Sequence, residues 1–95
     1  MKIPIKKSNL KTNIVAFMRT AGYVPFHDSY VRVLGTGGYP RFHVYIDDEE
    51  ERYVLKLHLD QKRPSYGEET AHSGDYEGPV LEQEADRIMD ELDRR

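Results

Sequence analysis

Two consecutive segments near the middle of the chain alternate between apolar and polar residues. Their apolar positions share one parity: Phe42, Val44, Ile46, Leu55, Leu57 and Leu59. Because successive side chains of a strand point to opposite faces, this pattern predicts two half-buried strands, over 41–47 and 52–60. The acidic run 48–51 between them predicts a tight turn, so the two strands form an antiparallel hairpin.

The pairing of these two strands follows from their charges. With Val44 opposite Leu57, His43 lies opposite His58, Tyr45 opposite Lys56 and Arg41 opposite Asp60. A slip of two residues preserves both faces but makes the histidines diagonal neighbours. The first register is preferred because it matches Arg41 with Asp60.

A further strand is predicted near Ser29–Leu34, with a weaker alternation. We take Val31 and Val33 as inward and Tyr30 and Arg32 as outward. Pairing Val33 with Phe42 then places Arg32 opposite His43 and Tyr30 opposite Tyr45. The glycine-rich segment 35–40 suits a hairpin loop, since glycine adopts positive φ without cost.

Two amphipathic helices flank the predicted strands. The first begins near Ser8 or Asn9, both good N-cap residues, and ends at Gly22. Its apolar stripe is Leu10, Ile14, Phe17, Met18 and Ala21. The second begins at Gly78-Pro79, with proline at its first position. Its stripe is Leu81, Ala85, Ile88, Met89 and Leu92.

The predicted fold is therefore an α+β domain of order α-β-β-β-α, with a three-stranded antiparallel sheet and both helices packed on one face. The 95 residues suit a single domain. Residues 1–7 are expected to form an extended basic arm. Residues 61–78 are expected to form a long loop of the kind that is often functional.

Composition limits the classes of function. The chain is 33% charged and contains no cysteine, which excludes disulfides and thiolate metal sites. No apolar run reaches the length of a membrane span, and no apolar leader follows Met1, so we expect a cytoplasmic protein without membrane contact. The net charge of −3 is uneven: residues 1–63 carry 11 Lys/Arg and 7 Asp/Glu, whereas residues 64–95 carry 3 and 10. The basic part could therefore face an anion, while the acidic part faces away or faces a basic partner.

Three local features resemble a known family. Ala21-Gly22-Tyr23 follows the first helix, a three-stranded meander comes next, and the segment 72–78 with His72 leads into the second helix. Together they resemble the HicA/YcfA mRNA interferase toxins, which have a double-stranded-RNA-binding-like fold. The resemblance implies that fold and an activity on RNA. The segment 26–30 lacks the Gly-Ser-His that carries the catalytic histidine in those toxins, so the implied catalysis has no matching residue here.

The polar face of the predicted sheet is the candidate site. A solvated face more usually carries Thr, Glu, Lys and Ser, whereas this face is rich in His, Tyr and Arg. With the 61–78 loop, it predicts a binding surface formed by Tyr30, Arg32, Arg41, His43, Tyr45, Lys56, His58, Lys62, Arg63 and His72. We interpret the protein as a small, non-enzymatic binding module without a cofactor, whose partner is another protein or its own copy.

Several alternatives remain open for the same residues. Single-stranded RNA could stack on the rings and pair with the cations, and an RNA-cleaving domain could use His43 or His58 as acid/base with Asp60 nearby. Asp60 could equally be a structural partner of Arg41. A zinc site of His43 and His58, with His72 or Asp60 as third ligand, lacks any short ligand spacing, so no metal is predicted. The sequence indicates no Ser-His-Asp arrangement.

Overall fold

A five-stranded antiparallel sheet forms the centre of the computed structural model, which describes residues 1–61 and 73–94. In chain order the elements are β1 (Lys2–Lys6), α1 (Ile14–Thr20), β2 (Val24–Phe26), β3 (Ser29–Val33), β4 (Arg41–Asp48), β5 (Arg52–Asp60) and α2 (Ser73–Asp93). Across the sheet the strands lie in the order β1-β5-β4-β3-β2. The α+β class is confirmed, but the sheet has five strands rather than the predicted three.

The β4–β5 hairpin confirms the register predicted from charge matching. Val44 lies opposite Leu57, His43 opposite His58 and Arg41 opposite Asp60. The turn is closed by a hydrogen bond from the Glu49 amide to the Arg52 carbonyl, at 2.9 Å. The alternation was decisive here because a shift of one residue would turn every apolar side chain to the wrong face.

The predicted faces of β3 are wrong. Val33 pairs with Arg41, one residue away from the predicted pairing with Phe42, so Arg32 lies opposite Phe42 and Tyr30 opposite Val44. Tyr30 and Arg32 therefore share the core face, and Val31 and Val33 share the face of His43. Arg32 tolerates the core side because its guanidinium lies over the Phe42 ring, at 5.9 Å from the centroid, and meets a buried carboxylate.

The expected basic arm 1–7 is instead an edge strand. Ile3 pairs with Leu55 and Ile5 with Tyr53, and both isoleucines are buried. The alternation of Ile3 and Ile5 with lysines is a strand pattern too short to stand out from a charged terminus. The Met1 carbonyl also accepts a hydrogen bond from the Leu57 amide, at 2.8 Å.

Both outer strands of the sheet contain a proline at their centre. Pro4 lies in β1 opposite Val54, and Pro25 lies in β2 opposite Tyr30. Proline has no backbone N–H and is confined to edge strands, so its position agrees with the strand order.

The helices begin at places other than those predicted. Asn13 caps α1, since its side chain accepts a hydrogen bond from the Ala16 amide at 2.8 Å. The segment Lys7–Asn9 forms a short 3₁₀ turn, held by a bond from the Lys7 amide to the Glu51 carbonyl. α2 begins at Ser73, and Pro79 lies inside it, so proline marked the boundary too late and residues 73–78 are not loop. The rest of the predicted loop, up to residue 72, lies outside the described residues apart from Gln61.

One hydrophobic core contains residues of both helices and of the sheet. It contains residues of both predicted helix stripes, Phe17, Met18, Ala21, Ile88 and Leu92, together with Ile3, Ile5, Tyr23, Phe42, Val44, Leu55 and Leu57. The fully buried Leu55, Leu57 and Val44 lie at its centre. No helix in the described part of the chain is long and apolar enough to cross a membrane.

A cluster of charged side chains lies at the edge of this core. Glu84 is 4% exposed, and its carboxylate accepts hydrogen bonds from the Tyr23 hydroxyl at 2.6 Å, from Arg87 Nε at 2.9 Å and from Arg32 at 3.3 Å. Arg87 also donates to the Ala21 carbonyl. These contacts fasten α2 to the end of α1 and to β3, and they supply the partners that a buried carboxylate needs.

Candidate binding face

The sheet face opposite the core, here called the outer face, is defined by the residues that alternate with the core positions. Its charged members are five cations and two carboxylates, a formal charge of +3: Lys2, Lys6, Arg41, Arg52, Lys56, Asp47 and Asp60. The whole chain carries −3. The outer face therefore concentrates positive charge on a chain that is negative overall.

Four rings, each in contact with the next, lie across the outer face from β2 to β5. We call them the aromatic band: Phe26, His43, Tyr45 and His58. His43 stacks on Tyr45 with centroids 4.7 Å apart and planes inclined by 27°. Tyr45 meets His58 edge to face at 5.9 Å, and Phe26 meets His43 in the same way at 6.2 Å. Tyr45, Phe26 and His58 are exposed members, the first two at 43% and 37%.

Ser29, His43 and Asp60 form a hydrogen-bonded chain that the sequence did not indicate. Ser29 Oγ lies 2.7 Å from His43 Nε2, and His43 Nδ1 lies 2.9 Å from Asp60 Oδ2. The three residues come from three different strands, β3, β4 and β5. The predicted Arg41–Asp60 pair adds a fourth member, since Arg41 Nε donates to the same carboxylate oxygen at 3.1 Å.

The hydrogen bonds among Ser29, His43 and Asp60 have the connectivity of a serine-nucleophile triad, but Ser29 is placed as a structural residue. Its Oγ is also bonded to the Phe26 carbonyl, at 2.9 Å, across the β2–β3 turn. The residue is only 5% exposed, so an acyl substrate has little access to the oxygen. We therefore interpret the chain as a support that fixes the His43 ring beneath Tyr45.

Arg41 is held rigidly beside the aromatic band. Its guanidinium lies over the Phe26 ring at 4.9 Å and over the Tyr39 ring at 4.7 Å from the centroids. Its Nε is bound to Asp60. Stacking and hydrogen bonding already restrict the rotamers of Arg41. It therefore loses less conformational entropy on binding a ligand than a mobile arginine would.

Aliphatic side chains border the aromatic band at the β2–β3 end. Val24 and Val33 lie on the outer face and are 55% and 47% exposed, and Leu34 follows directly after β3. Sequence reasoning missed this border because it did not predict β2 and turned Val33 inward. The available signal was the alternation of Val24 and Phe26 around Pro25, which fits a short edge strand.

Five of the ten residues predicted to form the binding surface lie together on the outer face: Arg41, His43, Tyr45, Lys56 and His58. Tyr30 and Arg32 do not belong to it, because the one-residue shift of β3 turns them to the core face. Lys62, Arg63 and His72 lie outside the described residues. Asp60, an alternative catalytic residue, lies beside His43 on the same face.

Two further properties of the site bear on its chemistry. Within residues 1–61 and 73–94, no group of three His, Cys, Asp or Glu residues is placed to hold a metal ion. Lys56 Nζ lies 3.3 Å from Asp47 Oδ1, and its side chain is 37% exposed, so the ammonium group remains accessible. The face thus offers rings, aliphatic side chains and fixed cations for binding.

Comparison of the chain with protein-family models, curated proteins and solved structures found no significant match.

Proposed function

We propose that this protein is a small binding module that contacts another protein, or a second copy of itself, through the outer face. The observation that carries the proposal is the aromatic band, whose exposed Tyr45 and Phe26 lie on the same face of the sheet as the exposed Val24 and Val33. Contiguous exposed apolar surface on a small soluble domain commonly marks an interaction site.

The composition of the outer face supports this function. Tyrosine and arginine are the residues most often found as binding hot spots, because they bury large areas with few rotatable bonds or with fixed donors. Here Tyr45 rests on His43, and Arg41 lies between Phe26 and Tyr39. Such preorganisation lowers the entropy lost on association.

The remainder of the domain acts as a scaffold in this proposal. In this proposal both helices cover the apolar face of the sheet, and the partner covers the outer face. The shared core of Phe17, Met18, Ile88 and the inward strand residues supports this arrangement. A sheet held from one side presents its other side as a rigid platform.

The test compares two exposed apolar positions of similar accessibility. Tyr45→Glu places a charge in the aromatic band, whereas Val15→Glu places one on α1, where Val15 is 44% exposed. Sedimentation velocity over a wide concentration range measures self-association, and cross-linking in cell extract measures association with other proteins. We expect Tyr45→Glu to abolish the complexes and Val15→Glu to preserve them. Equal behaviour of the two variants contradicts the proposal.

A second candidate is single-stranded RNA, favoured by one observation: the rings of the aromatic band lie beside the cations Arg41 and Lys56. Bases stack on aromatic rings, and cations pair with phosphates. Binding should then weaken steeply as salt rises, and a flat salt response excludes phosphate contact. An RNA-cleaving version, as in HicA-like domains, predicts that His58→Ala abolishes cleavage without lowering the melting temperature.

A further inference from the structure

We infer that the partner's contacting segment is an acidic peptide in which Asp or Glu alternates with apolar side chains. Its carboxylates pair with Arg41 and Lys56, and its apolar side chains cover Val33 and Tyr45. This inference rests on the proposed function, because it specifies the chemistry of the protein that the outer face binds.

Charge complementarity favours an acidic partner. The outer face carries five Lys or Arg and two Asp side chains, a formal +3. The two Asp pair with Arg41 and Lys56, so the excess positive charge lies at Lys2, Lys6 and Arg52, the last of which also meets Glu49. A second copy stacked face to face would set +3 against +3, which is repulsive. An acidic segment is instead attracted to this face and oriented by its potential.

Two cross-strand pairs of the outer face suit such a peptide. Val33 lies directly opposite Arg41, and Tyr45 lies directly opposite Lys56. Each pair sets an apolar or aromatic side chain beside a cation. A segment that alternates apolar and acidic residues matches both pairs at once.

Arg41 is suited to bind a carboxylate in particular. Among the described residues only its Nε makes a hydrogen bond, to Asp60 Oδ2 at 3.1 Å. Within residues 1–61 and 73–94 no acceptor meets its terminal nitrogens, and arginine can bind an incoming carboxylate with two parallel hydrogen bonds. Its stacking on Phe26 and Tyr39 fixes the plane of the guanidinium before the ligand arrives.

The aliphatic border favours a peptide over a nucleic acid. Val24 and Val33 are about half exposed and lie on the same face as the cations. Single-stranded RNA binds through phosphates and stacked bases, and neither contact involves exposed valines. Apolar peptide side chains would remove these valines from water.

The experiment uses the full chain and fluorescence anisotropy with three labelled probes of matched length. The first is a synthetic peptide that alternates Glu with Leu and Phe, the second carries Lys at every Glu position, and the third is oligouridylate. We expect the acidic peptide to bind at least about tenfold more tightly than either other probe. Equal binding of the Lys peptide, tighter binding of oligouridylate, or no binding of the acidic peptide overturns the inference.

Matched variants locate the contact. Arg41→Gln should weaken binding of the acidic peptide about tenfold and Lys56→Gln about threefold, whereas Arg19→Gln, an exposed cation on α1, should leave it unchanged. Lys56→Gln keeps the test decisive if Arg41→Gln unfolds the protein, and an unchanged affinity there contradicts the proposed pairing. If the acidic peptide fails to bind while Tyr45→Glu still abolishes protein complexes, only the partner chemistry is wrong and the proposed function stands.

Discussion

Tyr23 donates a 2.6 Å hydrogen bond to Glu84 Oε2, although 61 positions separate the two residues in the chain. Both are almost completely buried. The bond joins the segment after α1 to the middle of α2, and Tyr23 belongs to the core rather than to the outer face. It allows the stability of the scaffold to be altered without changing the outer face.

Stability should decline at alkaline pH because of Tyr23. Burial, followed by the hydrogen bond to Glu84, raises the pKa of Tyr23 above its ordinary value of 10. The stabilisation is fully present below about pH 10 and is lost as pH rises further, since the unfolded chain then releases a proton that the folded chain keeps. Chemical denaturation should show the free energy of unfolding falling by up to about 1.4 kcal/mol per pH unit above pH 10.

The control for this effect is Tyr23→Phe. It should cost about 1 kcal/mol at neutral pH and should show a shallower alkaline decline. Lys7, whose pKa is raised by its hydrogen bond to Asp48, contributes in the same direction in both proteins, so the difference between them isolates Tyr23. Identical alkaline slopes for the two proteins would contradict the assignment.

Removal of the Glu84 carboxylate should destabilise the fold strongly. Glu84→Ala leaves Arg87 and Arg32 without their shared acceptor and removes the partner of Tyr23. We expect a loss of about 2–4 kcal/mol in the free energy of unfolding, measured by urea denaturation. Glu82→Ala, an exposed change on the same helix, should stay within about 0.5 kcal/mol of the original protein. Similar losses for both would show that the cluster contributes little.

Two glycines should respond in opposite directions to alanine. Gly22 has a φ of +98°, and a Cβ there would meet the Arg32 side chain at 3.4 Å, so Gly22→Ala should cost about 1–2 kcal/mol. Gly78 lies inside α2 with no atom within 4 Å of an added Cβ, so Gly78→Ala should stabilise by about 0.5–1 kcal/mol. Melting temperatures should therefore move apart, and a shared direction would contradict one of the two backbone assignments.

Ser29→Ala should act on stability rather than on a reaction. The change removes the contacts of Ser29 Oγ with His43 and with the Phe26 carbonyl, at an expected cost of about 1–2 kcal/mol. In the intact protein, a fluorophosphonate probe should not label Ser29, as judged by mass spectrometry of the peptides. Labelling that disappears in Ser29→Ala would instead establish a reactive serine.

The sequence predicted β4 and β5 well because both strands have one strongly apolar face. Phe42 and Val44, like Leu55 and Leu57, alternate with charged or polar residues, so a single register buries them all. The resulting pair of Arg41 and Asp60 followed directly. Periodicity is reliable where the two faces differ this clearly.

β3 was misread because each of its faces has some apolar character. Val31 is indeed buried, at 5% exposure, but among the residues of the outer face rather than in the core. Arg32 instead reaches Glu84, which lies 52 positions away in α2. A pairing between such distant residues leaves no periodic signal, so tertiary contact overrode the local pattern.

The Ser29–His43–Asp60 chain was beyond sequence reasoning for a related cause. Its members are 14 and 17 positions apart and meet only because the β3 register differs by one residue from the prediction. With the predicted register, Arg32 rather than Val31 would have faced His43. Because the β3 register was predicted wrongly, the predicted surface lacked both the Ser29–His43–Asp60 hydrogen bonds and the aliphatic border.

The prolines at the centres of β1 and β2 determine how this sheet can meet other chains. Pro4 and Pro25 lack the backbone N–H that another residue would have at the middle of each edge strand. An additional strand could not form a continuous ladder along either margin, which protects the monomer from fibrillar growth and from swapping of strands between molecules. If the outer face binds a partner as proposed, side chains rather than added strands would carry the recognition, and single substitutions on the outer face should change specificity more readily than solubility.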